Sequence, residues 1–278
     1  MRFVLFSILS LSAAHASANT LECKFKAERP LAIDAAGTHA LVLALDSSDA
    51  RVRGVAGLNK IEVTGKACAS QEDWLAELTV AQRREGDRVV VTTNQHRQNT
   101  IGPFHSSYAF IDLEVRIPAS LMLQIQSNSG DADVADLAAL DFSTHSGDLI
   151  ADHISGTITA ELGSGDIKAD DIGSLELRRS GSGDVRARRV HGDVRIGNVG
   201  SGDLAFEDVA KSVRVNSVGS GDVGVHGAGG DVVIDSVGSG DVTASNVGGD
   251  FIVKAAGSGD IHHHDIKGKV SVPVRDDD

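Results

Sequence analysis

The chain is poor in cysteine and in aromatic residues. Its 278 residues include two cysteines, one tryptophan and one tyrosine, and aromatics make up only 4%. With Trp74 and Tyr108 both ahead of the regular part of the sequence, platforms for stacking sugars are scarce, and no outward row of threonines offers an ice-binding face. Neither Cys23 nor Cys68 has a close Cys or His neighbour, which argues against a metal or redox pair. In an oxidising compartment they make one candidate disulfide, worth about 4 kcal/mol through its restraint on the unfolded chain; two buried free thiols are the alternative. Apart from Phe3 to Leu11, no apolar run approaches the length of a bilayer span, so no transmembrane segment is expected in the mature chain. An excess of positive charge is also missing. The net charge is −13; residues 19–126 carry 13 acidic and 12 basic groups, residues 127–278 carry 26 and 13. Nucleic acid and anionic lipid would be repelled, which argues against them as partners.

At the start of the chain, Arg2, the apolar run to Leu11 and the small residues of Ala14-His15-Ala16-Ser17-Ala18 form an export signal, with cleavage near Ala16 or Ala18. Residues 1–18 are therefore expected to be a signal peptide, and the mature protein to reside in the periplasm or at the cell surface. Glu22 before Cys23 does not fit a lipoprotein signal.

What the chain has in abundance is one tripeptide. Ser-Gly-Asp returns eight times, with aspartates at Asp131, Asp148, Asp166, Asp184, Asp203, Asp222, Asp241 and Asp260, at intervals of 17, 18, 18, 19, 19, 19 and 19 residues. A period near 20 marks a structure in which each repeat is one stacked turn that cannot bury its apolar face alone. From Asp184 onward four turns align without gaps. In the first, Val185, Ala187 and Val190 are followed by Val194, Ile196 and Val199; in the third, Val223, Val225 and Ala228 by Val232, Ile234 and Val237. Period-two alternation rich in β-branched residues reads as strand, and glycine every few residues excludes helix. Each turn divides into similar halves, since Gly183-Asp184-Val185 is echoed by Gly192-Asp193-Val194. Residues 127–278 are thus an all-β solenoid of about 19 residues per turn. The turns from Asp148 and Asp166 are one residue short, and Gly173-Ser174-Leu175 implies a tighter corner.

Residues 19–126 read as a β-rich capping region. Leu41–Leu45 and Ile61–Val63 are strands, Leu78–Thr93 a hairpin turning at Glu85-Gly86-Asp87, and Tyr108–Ile117 and Leu121–Ile125 two further strands; Ser70 to Asp73 is a candidate cap for one short helix. Ser48 to Val55 already looks like a solenoid half-turn.

A β-rich lead-in ending in Val115-Arg116-Ile117-Pro118-Ala119-Ser120-Leu121, then Ser127 to Asp131, then Gly-Ser-Gly-Asp turns, resembles the bacterial β-strand-repeat proteins grouped as a putative adhesin family of unknown function. It is also similar to the head domain of putative autotransporter adhesins, though no translocator barrel is present. The resemblance covers residues 30–272. It implies a right-handed parallel β-helix in the cell envelope, with an unidentified envelope or surface component, protein or glycan, as partner, and it brings no catalytic residues.

Four constellations are candidates for chemistry. Stacked turns place equivalent Ser-Gly-Asp carboxylates about 4.8 Å apart, where each unpaired neighbour pair would repel by about 0.9 kcal/mol in water. Hydrogen bonds to turn amides offset this in a structural reading; a row of Ca²⁺ ions is the alternative, although calcium-binding solenoids use Gly-x-Asp spacing and here Asp follows Gly directly. His262 and His264 share one face of a strand with Asp265 beside them, a weak candidate metal grip that needs further ligands. Arg178, Arg179, Arg186, Arg188 and Arg189, with Arg195 and Arg214, either neutralise neighbouring aspartates or bind an acidic polysaccharide, as a binding or cleaving β-helix would. Gly219 to Gly224 matches GxGxxG, but that motif works only where it opens a helix, and strand follows here. The balance favours a non-enzymatic interaction or scaffold module without a cofactor.

Overall fold

The computed structural model describes residues 23–94 and 108–274. The expected signal peptide and the acidic end, Asp276 to Asp278, lie outside the described residues. No α-helix occurs among the described residues; the candidate helix near Trp74 is a single 3-10 turn, Asp73–Ala76, whose N-cap Glu72 makes no side-chain capping bond.

Nine strands make up the head of the molecule: β1 (Phe25–Asp34), β2 (Ala40–Ala44), β3 (Ala50–Val55), β4 (Lys60–Ala69), β5 (Thr79–Glu85), β6 (Arg88–Asn94), β7 (Ala109–Pro118), β8 (Met122–Ser127) and β9 (Ala132–Leu137). From there the chain winds as a β-solenoid in which each coil adds one strand to each of two parallel columns. The first column continues from β9 through Val185–Val190, Leu204–Val209, Val223–Ala228 and Val242–Val247 to Ile261–Ile266. The second runs from β8 through Val194–Ser201, Val213–Ser220, Val232–Ser239 and Phe251–Ala256 to the short Val270–Ser271. The inward positions of both columns form one continuous core, with Ala187, Ile196, Val215 and Ile234 all buried. An interior of mostly small and β-branched residues, with Phe206 stacked between Ala187 and Val225, lets successive coils superimpose in register.

Two coils depart from this regularity. Leu149–Ser164 and Ile167–Ser182 run as unbroken strands through the corner that elsewhere interrupts each coil. Their pairing shifts register between Ile154 and Thr157, because Gly173 alone answers both Ser155 and Gly156. A β-carbon at Gly173 would stand 2.3 Å from the Gly156 carbonyl oxygen, so the tight corner requires glycine.

The turn from Asp131 is not the end of the stack. β3 pairs in parallel with β9 on one side and β7 on the other, while β2 pairs in parallel with β8 and β6. Two more coils, β2 with β3 and β6 with β7, therefore continue the winding, and their order in space differs from their order in the chain. The coil of residues 40–55 is sandwiched between coils that follow it in sequence. Antiparallel strands close this end: β4 lies on β7, β1 on β4, and β5 on β6 through the Gly86 hairpin. The Cys23–Cys68 disulfide ties the first described residue to β4.

Candidate functional site

The Ser-Gly-Asp corners stack into an unbroken edge. The backbone N–H of each aspartate donates to Oδ1 of the aspartate one coil nearer the head, at 2.8–3.0 Å, from Asp148 on Asp131 through Asp260 on Asp241. The main chain reinforces this, since the amide after each aspartate donates to the next aspartate's carbonyl, as in Val185 to Asp203 at 2.8 Å. Each carboxylate from Asp131 to Asp241 thus accepts a bond from the following coil, which offsets the repulsion between neighbours. The preceding glycines are needed for close approach: Gly202 has φ 131°, and a β-carbon there would stand 2.1 Å from the Gly183 carbonyl oxygen.

Two members of this edge carry no Ser-Gly signature. The Asp131 amide donates to Asp49 at 2.9 Å, and the Asp49 amide hydrogen-bonds to Asp112. The sequence signal they share with the others is an aspartate directly before an alternating run of inward residues, as in Asp49-Ala50-Arg51-Val52 and Asp112-Leu113-Glu114-Val115. Their charges behave differently along the edge. The Asp203 amide, aided by Arg186, outweighs desolvation and holds Asp184 below the usual carboxylate range. Burial pushes Asp112 up, and the charge of Asp49 adds to it. The opposite corner repeats the device with a substitution in it: Ser212 N–H donates to Asp193, Asp231 N–H to the Ser212 hydroxyl, Asp250 N–H to Asp231, and Lys269 N–H to Asp250.

A third edge has no tripeptide to announce it. Five residues after each repeat aspartate the backbone turns left-handed, at Asp136, His153, Asp171, Arg189, Asp208, Gly227, Asn246 and Asp265, with φ between 49° and 81°. Asp, Asn, His and Gly tolerate this conformation best, so their recurrence at one offset was the available signal. The edge brings imidazoles among carboxylates. His153 Nδ1 lies 3.1 Å from Asp152 and its Nε2 3.5 Å from Asp171; His191 Nε2 lies 2.7 Å from Asp171. The hydrogen bond from His191, aided by the charges of His191, His153 and Arg189, holds Asp171 below the usual range.

The arginines fall into two groups. Arg186, Arg188 and Arg189 belong to the first column, where Arg188 and Arg189 share Asp170 at 3.1 and 2.8 Å and Arg186 meets Asp184 at 2.9 Å. Arg178 and Arg179 belong to the second, near Glu176 at 3.9 Å and Glu161 at 2.8 Å, and Arg195 meets Asp193 there. Lys168, in register with Arg186, faces no carboxylate within ion-pair distance among the described residues, and it borders a shallow groove with half-exposed Ile150. At the tail, His262 and His264 stand on the outer face of Ile261–Ile266, in register with Thr243 and Ser245, and His264 Nδ1 lies 3.1 Å from Asp265. His263 points toward the core side, where its ring lies 5.8 Å from that of Phe251. Within one chain, the described residues include no group of three or more His, Cys, Asp or Glu placed to hold a metal ion. No described helix is long and apolar enough to cross a membrane.

Three solved structures are similar to this chain, each at 11% identity. A putative cell adhesion protein from Clostridium sporogenes covers 89% of this chain and 98% of its own, with a TM-score of 0.30. For a putative adhesin from Bacteroides fragilis the shares are 89% and 97%, with a TM-score of 0.37. A putative lipid binding protein from Parabacteroides distasonis also gives 89% and 97%, with a TM-score of 0.29. No curated protein matches the chain. The family model for Toastrack DUF4097 matches residues 41–264, from the sandwiched head coil to the histidine strand. The chain belongs to the Toastrack DUF4097 family.

Proposed function

We propose that this protein is a non-enzymatic, exported envelope protein whose solenoid serves as an interaction or scaffold module of adhesin type. The observation that carries the reading is how the polar groups of each coil are used. The corner carboxylates accept amides of the next coil, and Arg179, Arg188 and Arg189 each meet a carboxylate of the preceding coil at 2.8–3.1 Å. Groups committed to holding coils together make a stiff rod, and its variable outward residues are left to recognise a surface partner. The leader-like residues 1–18 and the Cys23–Cys68 disulfide support an oxidising compartment, periplasmic or at the cell surface.

A second reading has its own support. Lys168 stacks on Arg186 beside Ile150, Arg188 and Arg189, a local basic strip on an acidic protein, and it suits an acidic glycan. One experiment separates the two. The protein and its Arg186→Ala, Arg188→Ala variant are used in parallel as baits in envelope extract and on a glycan array. Saturable capture of the same component by both supports the scaffold reading. Selective acidic-glycan binding that the variant loses promotes the second, and no saturable binding by either overturns both.

A further inference from the structure

The two ends of the stack are finished differently. At the head, the outermost strands are antiparallel and guarded: β1 carries Pro30 at its centre, which lacks an N–H for further pairing, and β5 presents Arg83, Arg84 and Glu85 on an exposed strand. At the tail, Ile261–Ile266 pairs with Val242–Val247 on one side, and no described strand pairs with its other side. Its inward positions are uncovered to match. Val242, Ala244 and Val247 of the preceding coil are at most 1% exposed, whereas Ile261 and Ile266 are only half-buried and His263 is exposed. From Ile261 to His264 the strand is extended, lacks a described strand on one side and has a partly open apolar side, which makes it a template for another strand.

We propose that this edge pairs with the same edge of a second copy, tail to tail, around a divalent metal ion held by His262 and His264 of both copies. The symmetry argument is short. In an antiparallel pair, directly opposed residues point to the same side of the sheet. A two-fold axis through His263 therefore sets His262 of one copy opposite His264 of the other, and the reverse, all four on the outer face. Opposed residues are about 5 Å apart at Cβ, and alternate residues along a strand about 6.8 Å. Four imidazoles at the corners of that rectangle supply the nitrogen set that Zn²⁺ prefers, while one copy supplies only two.

Two further observations favour this occupant. His264 Nδ1 already lies 3.1 Å from Asp265 Oδ2, so a proton on Nδ1 donates there and Nε2 is the free ligand atom. A carboxylate behind a ligating imidazole is the usual support of a metal-bound histidine. Each copy also carries a net charge of −13, so two copies brought together repel unless a cation is placed between them.

The test is sedimentation equilibrium of the full chain with Zn²⁺ alone and then with excess EDTA. The expected result is a doubling of mass with Zn²⁺, at one ion per two chains, reversed by EDTA. His262→Ala and His264→Ala each raise the Zn²⁺ concentration needed by tenfold or more, the double variant stays monomeric, and Asp265→Asn shifts it by about tenfold. Zinc-edge absorption of the dimer shows an all-nitrogen, four-imidazole shell. Thermal melting verifies that each variant is folded, and His153→Ala with His191→Ala is a surface control that leaves dimerisation unchanged. A mass that Zn²⁺ does not alter overturns the proposal, as does a doubling that survives in the folded double variant.

Discussion

Head and tail of the stack use the same hydrogen bond and reach it by opposite routes. From Asp184 to Asp260 every member of the aspartate edge follows its neighbour by 18 or 19 residues, so the pairing is a consequence of local repetition. In the head, Asp131 pairs with Asp49 across 82 residues, and Asp49 with Asp112, which comes after it in the chain. The comparison separates what the edge requires from what the repeat adds. The edge needs a carboxylate one residue before the inward position at which parallel pairing begins, Ala50 in β3 and Leu113 in β7. The Ser-Gly before it answers a different demand, the contact of one glycine backbone on the next. The tail can propagate coil by coil, whereas the head coil of residues 40–55 is complete only when chain from both sides has closed on it.

The largest expected effect breaks the shared interior. Val215→Asp in the tail and Val115→Asp in the head each bury an uncompensated charge and are expected to cost about 3–5 kcal/mol. Because the tail is quasi-one-dimensional, hydrogen exchange should show Val215→Asp loosening neighbouring coils first, while Val115→Asp loosens β3, β4 and β7 together. Retention of parent stability by either variant would contradict the inward placement. Gly221→Ala comes next: φ is 128° there and a β-carbon would meet the Gly202 carbonyl oxygen at 2.2 Å, so a loss of about 1–3 kcal/mol is expected in denaturant titration.

A smaller effect contrasts the two ends of the aspartate edge by pH. Asp184 has its folded value lowered, so its stabilisation is complete above the ordinary carboxylate value and is lost as pH falls through the lower folded value. Asp112 has its folded value raised, so stability falls as pH rises from the ordinary value through the raised one. Asp112→Asn keeps an acceptor for the Asp49 amide and removes the charge. It should stabilise the protein at neutral pH by no more than about 1 kcal/mol and have no benefit at acid pH, whereas Asp184→Asn should be neutral or destabilising at neutral pH. Equal melting profiles for the two variants across pH would remove the distinction. Smallest of all is the expected response to calcium. With Oδ1 of the repeat aspartates from Asp131 to Asp241 already bonded to an amide, the melting midpoint should not move when EDTA and then excess Ca²⁺ are added; a rise of several degrees would revive a row of ions along the edge.

Much of this molecule was legible because its repeat is local. Alternation of Val, Ile and Ala named the buried positions, the Gly-Asp echoes marked both corners of a coil, and the Gly86 hairpin and the Cys23–Cys68 bridge followed from residue type. Asp49 was visible as part of the half-turn from Ser48 to Val55, but its place on the edge, and that of Asp112, depends on strands remote in sequence. The left-handed edge was present as a constant offset of five residues, yet it is written in Asp, Asn, Gly, His and Arg at once, so no single residue marks it. The arginines look like one cluster along the chain, but alternate columns divide Arg178 and Arg179 from Arg186, Arg188 and Arg189.

By itself, then, the sequence determined the period, the identity of strands and corners, and which side chains turn inward, since each depends on interactions within one coil or between adjacent identical coils. Only the tertiary structure decided the order of coils in the head and the start of the aspartate edge at Asp112. Those depend on contacts between segments far apart in the chain, which no local pattern of residue types encodes.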